Sequence, residues 1–392
     1  MGLILIPMIG SESTQLMRAH LLPYFFCKVS KPIENRFDAH RTIPPNIMPM
    51  RVQLNSPEEY TIGWIAALPH ERAAATAILD EEHDRPSGFE QHKHDTNAYT
   101  WGRVGDHNIV VASLPAGEYG LTAAATTANS LRFSLPQIRF GLMVGIGAGV
   151  PQLEDGADVR LGDIVISQPQ GTSGGVVQYD LVKAKQGGRF LTGHLAMPPE
   201  SLRKALSKLQ AEHEIRDSAV PSILEEMLFR YPKMAKRTSK NPGYAHQGIE
   251  NDRLFKAPSQ HLGGISCREC RDTDEVSREQ RDSVDPEIHY GIIASGNTLV
   301  KSADEREEIL QRLPVDERSK CLCIEMEAAG LMNSFPCMVI RGICDYADTH
   351  KNDTWQRYAA ATAAAFAKEF LRFIDAGEIQ RETMISDLLG SS

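Results

Sequence analysis

The chain has 392 residues, 42% of them hydrophobic, and carries a formal charge of -9 at pH 7. That length can bury a large core, and one domain is expected, whereas the acidic balance speaks against nonspecific binding to nucleic acid polymers or anionic membranes. No apolar run reaches transmembrane length, and seven cysteines, an odd count in a chain too large to need disulfide staples, fit a reducing, cytoplasmic setting.

Residues 1–57 read as a poorly ordered extension. Met1–Ile9 is apolar, but no basic region precedes it and Pro7 interrupts it, so a secretory signal is not expected. Pro44, Pro45 and Pro49 mark an extended lead-in. The aromatic and β-branched run Tyr60–Leu68 then predicts a buried strand, and Pro69-His70-Glu71 predicts the first turn of a helix. Ala98–Val104 and Asn108–Leu114 predict a hairpin around Gly105-Asp106, followed by a small-residue helix over Leu121–Phe133. Phe140–Val150 predicts a strand ending in a glycine-rich turn, and Leu161–Ser167 another strand. Helical patterning recurs at Glu200–His213 and Ile223–Arg230, whereas 232–288 is polar and rich in Gly and Pro, an irregular insert. Tyr290–Ala294 predicts a strand and Glu305–Leu313 a helix. Leu322–Met326 and Cys337–Ile343 predict two more strands, and Asp353 is expected to cap an alanine-rich helix over Trp355–Phe373. Residues 58–376 thus form the domain and 377–392 a tail. Alternating strands and helices imply an α/β fold with a parallel or mixed sheet between helical layers.

Carboxylates stand at the strand ends. Glu325, Met326 and Glu327 close one apolar run, Asp345 closes the next, and Glu71 follows the first strand. In open α/β sheets that edge binds ligands. An acid there can accept hydrogen bonds from a sugar diol or donate a proton to a leaving group. Strand alternation says that Glu325, Met326 and Glu327 do not share one environment, so at least one carboxylate faces the cleft. Arg341 is either a surface charge or the partner of such a carboxylate. Gly145-Ile146-Gly147-Ala148-Gly149 lacks the helix that a dinucleotide fingerprint needs, which leaves a tight turn or a backbone pressed against a flat ligand. Cys267-x-x-Cys270 with His261 nearby has the spacing of half a zinc site. No second C-x-x-C or H-x-x-x-H lies close by, so no metal is expected.

Six blocks, Ile62–Glu71, Val144–Val150, Leu161–Ser167, His289–Asn297, Ile324–Gly330 and Arg341–Asp348, together resemble the nucleoside phosphorylase and nucleosidase superfamily. The resemblance is to the fungal type found at the N-terminus of larger NLR-type receptors. It implies a three-layer αβα sandwich around a mixed, partly barrel-like sheet, assembled as a homo-oligomer and using no cofactor. It further implies Met326 and Glu327 as the ribose clamp, Asp345 as the acid at the purine base and Glu71 as the carboxylate that activates water. Glu325, Ala67, Ile146, Gly147, Ala148, Asn297, Leu299, Val300, Cys344 and Arg341 fall in the same substrate-binding region. Leu299 stands where adenine-specific members place an aromatic ring, and Ile146 and Cys344 stand where relatives carry serines. The expected reaction is hydrolysis of a purine nucleoside or nucleotide, with adenine favoured. Phosphorolysis, with phosphate as co-substrate bound among Arg72, Arg103 and Arg341, and a noncatalytic nucleotide-sensing or oligomerising module are the alternatives.

Overall fold

The computed structural model describes residues 51–390, except positions 187, 239, 258 and 265. Most of the expected N-terminal extension therefore lies outside the described residues. Just after it, Val52 bridges to His83 and Ser56 caps a turn of 3-10 helix at Pro57–Glu59.

The described residues form β1 (Ile62–Ala66), β2 (Glu81–His83), β3 (Thr100–Val104), β4 (His107–Ser113), β5 (Phe140–Gly149) and β6 (Ile164–Ser167). There follow β7 (Val176–Gln178), β8 (Val182–Lys185), β9 (Gly188–Leu191), β10 (Ile288–Ser295), β11 (Cys321–Glu325) and β12 (Cys337–Asp345). One sheet runs in the order β11, β10, β6, β12, β5, β1, β4, β3, β2, with β7 also on β10, and β8 and β9 form a separate hairpin. Strands β12, β5, β1 and β4 are parallel. The β12–β6 pairing is antiparallel, so β6, β10 and β11 run the other way. Strand β11 then pairs a second time, antiparallel to β5, at Cys323↔Gly149 and Ile324↔Ala148. That contact closes β5, β12, β6, β10 and β11 into a ring, and β1–β4 extend from it as an open wing. This is the expected mixed, partly closed α/β sheet.

Alternation along the strands feeds two cores. Ile62, Trp64, Leu142 and Val144 pack with the helices Pro69–Ala77, Glu200–His213, Val220–Arg230 and Gln356–Leu371. Ile65 and Met143 face the other way, toward Ala124, Ala128 and Leu131 of the Leu121–Ser134 helix. A third cluster packs Ala148, Ile292, Ala294 and Ile324 with Ile309 and Leu310 of the Ala303–Arg312 helix. The alanine-rich helix lies so close to β12 that a Cβ on Gly342 would sit 1.8 Å from the Ala359 carbonyl oxygen. Small residues on both partners permit that approach and bury nearly the whole helix.

Two local expectations are corrected. Asp353 does not cap that helix: the N-cap is Trp355, without a side-chain cap, and the Asp353 carboxylate accepts from Gln356 Nε2 at 2.8 Å. The glycine-rich stretch after Val144 is not a turn but the second half of β5, because it pairs with both β12 and β11. Residues 232–287 hold one short helix, Pro232–Ala235, and three turns of 3-10 helix. Helices Ala376–Arg381 and Ile385–Gly390 follow the last long helix, with Ile379 and Ile385 buried. No described helix is long and apolar enough to cross a membrane.

Candidate active site

Glu325 and Asp345 meet for a reason the strand order alone does not suggest. Their strands are not neighbours with a common carboxyl edge: β11 runs against β5 while β12 runs with it. The two ends converge because ring closure lays both strands across Ala148, which pairs with Ile324 on one side and Asp345 on the other. A cavity of about 300 Å³ opens there, at the small end of the range for small-molecule sites. Of the expected residues, Ala67, Glu71, Ile146, Gly147, Ala148, Leu299, Val300, Glu325, Met326, Glu327, Cys344 and Asp345 line it. Arg341 and Asn297 are outside the lining, Arg341 fully buried and Asn297 exposed. Asn297 Oδ1 accepts the Leu121 N–H at 3.1 Å, starting the Leu121–Ser134 helix.

One side of the cavity is a buried cluster of three carboxylates around one guanidinium. Glu71, in the first turn of the Pro69–Ala77 helix, accepts the N–H groups of Ala67 (2.6 Å) and Leu68 (2.9 Å) on Oε2 and that of Ile146 (2.8 Å) on Oε1. Arg341 has no exposed surface. Its Nη2 reaches Glu325 and, at 3.3 Å, Glu327 Oε2, while Nη1 donates to the Ile146 carbonyl at 3.3 Å. The surface-charge reading of Arg341 is therefore excluded. Glycine at 145 makes the cluster possible, since a Cβ there would lie 2.5 Å from Glu71 Oε1 and 2.6 Å from Arg341 Nη1.

Glu325 and Glu327 both turn toward Arg341. Strand β11 ends at Glu325, and the chain bends through Glu327 (φ -121°, ψ -38°) into a turn of 3-10 helix at Ala328–Gly330. Glu325 Oε2 accepts the Glu327 N–H at 3.1 Å, and Glu327 Oε1 accepts that of Gly120 at 3.2 Å. Residues two apart on a strand share a face, and the bend after Glu325 leaves Glu327 on the same side, so both carboxylates reach Arg341. Burial raises the Glu71 carboxyl above its usual range, although Arg341 and three backbone donors pull it down. Glu327 is pushed up to about 7 by burial, with Glu325 and Glu71 adding to the rise against Arg341.

The opposite wall holds a balanced pair. Asp345 Oδ1 accepts the Ala347 N–H at 2.9 Å, and Oδ2 is paired with Lys351 and accepts the Cys344 thiol at 3.0 Å. Ala347 has φ +52°, the left-handed region, unfavourable for a side chain. Burial disfavours the Lys351 ammonium, but Asp345 and Cys344 outweigh it and its pKa lies above the ordinary lysine value. The serine position filled by Cys344 thus retains a weak donor to the acid.

Lys351 and Tyr119 were not singled out from the sequence. Lys351 is six residues past Asp345 in an irregular loop, where spacing carries no directional information. Tyr119 is 57% exposed and lines the cavity from the turn before the Leu121–Ser134 helix. An aromatic between Gly117 and Gly120 was the available signal. Thr298 and Lys301 complete the rim beside Leu299 and Val300.

The fold and cavity define an α/β protein with an acidic small-molecule pocket, and comparison with known proteins gives its company. No family model matches the sequence. Among solved structures the chain is similar to nucleosidases. Futalosine hydrolase of Helicobacter pylori aligns at 17% identity with a TM-score of 0.48, covering 81% of this chain and 99% of that one. The 5'-methylthioadenosine/S-adenosylhomocysteine nucleosidase of Neisseria meningitidis, in complex with methylthio-immucillin-A, aligns at 16% identity with a TM-score of 0.48, covering 80% and 98%. In sequence, a nucleotide-binding leucine-rich repeat (NLR)-like protein of Hyaloscypha variabilis is 43% identical over 325 residues. That match covers 81% of this chain but only 30% of the relative's length.

Proposed function

We propose that the cavity cleaves the N-glycosidic bond of a purine nucleoside or nucleotide by hydrolysis. Departure of the base leaves positive charge on the ribose and negative charge on the base, so the two ends of the bond need opposite help. The three-carboxylate cluster suits the sugar end. Glu327 accepts hydrogen bonds from the ribose hydroxyls, and Glu71 takes a proton from the attacking water. Asp345 and Lys351 suit the base end, passing a proton to a ring nitrogen as it gains electrons. Water adds to the anomeric carbon, the C–N bond breaks, and the products are free base and sugar.

The observation that carries hydrolysis over phosphorolysis is the fate of the three candidate arginines. Arg341 is consumed by carboxylates. Arg72 donates to Ser113 Oγ and Thr100 Oγ1, both at 2.9 Å, outside the cavity lining. Arg103 pairs with Glu81 at 3.2 Å. A phosphate dianion at the sugar end would face carboxylates instead of donors. Water meets no such repulsion.

A binding-only reading draws on the same contacts. Both oxygens of Glu71 and of Asp345 already have partners, which suits holding a nucleotide without turning it over. The name of the NLR-like relative fits that reading as well as the enzymatic one. Chromatography of adenosine, inosine, guanosine, methylthioadenosine, AMP and ATP, each incubated with the protein with and without phosphate, separates the readings. Base release independent of phosphate supports hydrolysis, strict dependence on phosphate makes the protein a phosphorylase, and tight binding without release makes it a sensor.

A further inference from the structure

The Cys267-x-x-Cys270 pair, for which the sequence suggests no metal, gains partners through the fold. A turn of 3-10 helix at Cys267–Glu269, closed by the Cys270 N–H on the Cys267 carbonyl at 3.0 Å, holds both cysteines on one knuckle. His261 Nδ1 lies 3.3 Å from Cys270 Sγ and 3.9 Å from Cys267 Sγ, and all three ligand atoms fall within 4.8 Å of one another. Tetrahedral zinc, with Zn–S near 2.3 Å and Zn–N near 2.0 Å, spaces sulfur and nitrogen about 3.6 Å apart. The observed separations straddle that value.

The surroundings are those of a metal ligand set. His261 Nε2 faces the Gly264 carbonyl at 3.2 Å, so a proton held there leaves Nδ1 with its lone pair toward the thiols. Arg253 braces the knuckle by donating to the Cys267 and Cys270 carbonyls. Beside it lies His350, 6% exposed, with neither ring nitrogen hydrogen-bonded and Nδ1 standing 3.6 Å from Asp348 Oδ2. Its ring centroid is 5.7 Å from that of His261, and it stacks on Phe255 at 3.8 Å. With Asp348 facing its Nδ1, His350 keeps Nε2 for a ligand, and it stands outside the 4.8 Å group of His261, Cys267 and Cys270, so its ring must swing in to join them.

We propose that His261, Cys267 and Cys270 bind a zinc ion, that His350 fills its fourth position, and that the ion ties the 259–275 segment to the loop carrying Lys351. Two sulfurs and two imidazoles form a donor set that favours zinc over hard cations. Binding displaces the two thiol protons and involves no electron transfer. The segment has reason to need the ion. Among the described residues between 232 and 287 the buried apolar side chains are Tyr244, Leu254, Phe255 and Cys270, a small core for so long a stretch. The link to the cavity is short: Thr349 Oγ1 accepts the His261 N–H at 3.2 Å, His350 follows, and Lys351 then pairs with Asp345. Sequence spacing could not reveal the fourth ligand, because His350 lies far along the chain, beyond three strands.

The test is elemental analysis of the full-length protein purified without chelator, followed by competition with a chromogenic zinc indicator. One zinc per chain is expected, lost in the Cys267→Ser/Cys270→Ser protein. Should that double variant not fold, His261→Ala and His350→Ala keep both thiols and should each weaken zinc binding by more than about tenfold, the loss that even an outer partner of a metal ligand causes. Cobalt substitution should give a thiolate-to-metal absorption band in the wild-type protein, and zinc removal should raise hydrogen exchange in both 259–275 and 347–353. A wild-type chain that carries no zinc and binds added zinc no better than the double-cysteine variant would overturn the site. Unchanged affinity in His350→Ala would overturn the fourth ligand, and unchanged exchange at 347–353 would overturn the link. None of these readouts depends on the glycosidic reaction.

Discussion

The two walls of the cavity both bury acids, but in opposite proportions. At the sugar end Glu325 and Glu327 pair with Arg341 and Glu71 is buried beside them, whereas at the base end Asp345 pairs with Lys351. An excess of buried carboxylates is expensive unless protons or a bound cation relieve it. Burial raises both Glu71 and Glu327, and neighbouring carboxylates add to the rise at Glu327, which suits a wall proposed to stabilise a positively charged sugar. The balanced pair carries no such excess. The role proposed for it is to hand over one proton and to hold the departing base. Charge ratio, more than the presence of acids, distinguishes the two ends of the proposed reaction.

The comparison breaks most visibly if either wall loses its acid. Asp345→Asn and Glu71→Gln should each lower kcat/KM by about 10²–10⁴-fold, as expected for loss of a general acid or base. Ligand affinity should persist, measured by calorimetry beside base-release kinetics. Full activity in Asp345→Asn would remove the base-end assignment. Next in size, Arg341→Met should destabilise the protein by about 3–5 kcal/mol, because it strands three buried carboxylates without a counter-charge. Urea denaturation measures this directly, and the loss should shrink at low pH, where the carboxylates take up protons.

The excess at the sugar end also sets a pH dependence. Glu327 must be ionised to accept the ribose hydroxyls, so kcat/KM should rise about tenfold per pH unit up to an acid limb near 7. The limb belongs to the coupled cluster, and Glu327→Gln should remove it along with most of the activity. Stability follows the opposite sense. The folded carboxyl of Glu327 holds its proton more tightly than the unfolded one near 4.5, so its contribution is full below that value and is lost as pH climbs through about 7. The smallest effect is expected at the rim. Leu299, 46% exposed, replaced by Tyr should lower KM for a purine substrate by about two- to tenfold through stacking, with kcat unchanged.

Much of this was legible in the sequence. Apolar runs located β1, β5, β10, β11 and β12, and the acids just beyond them proved to line one cavity. Strand direction was not legible, because an apolar run reads the same whether it pairs parallel or antiparallel, and the β11–β5 contact that closes the ring is a long-range event. Alternation left open which of Glu325, Met326 and Glu327 faces the cleft, and a buried Arg341 could not be told from an exposed one without knowing what surrounds it. Lys351 and His350 sit in a loop whose path depends on Ala347 in the left-handed region, a conformation that alanine does not advertise.

The central claim is that water attacks at the carboxylate-rich wall. It is tested most directly by running the reaction in water labelled with heavy oxygen, with phosphate present, and weighing the sugar product. The account predicts free sugar carrying one heavy oxygen at the anomeric carbon. Unlabelled sugar 1-phosphate would contradict it and would require an anion site among groups that here appear only as carboxylates.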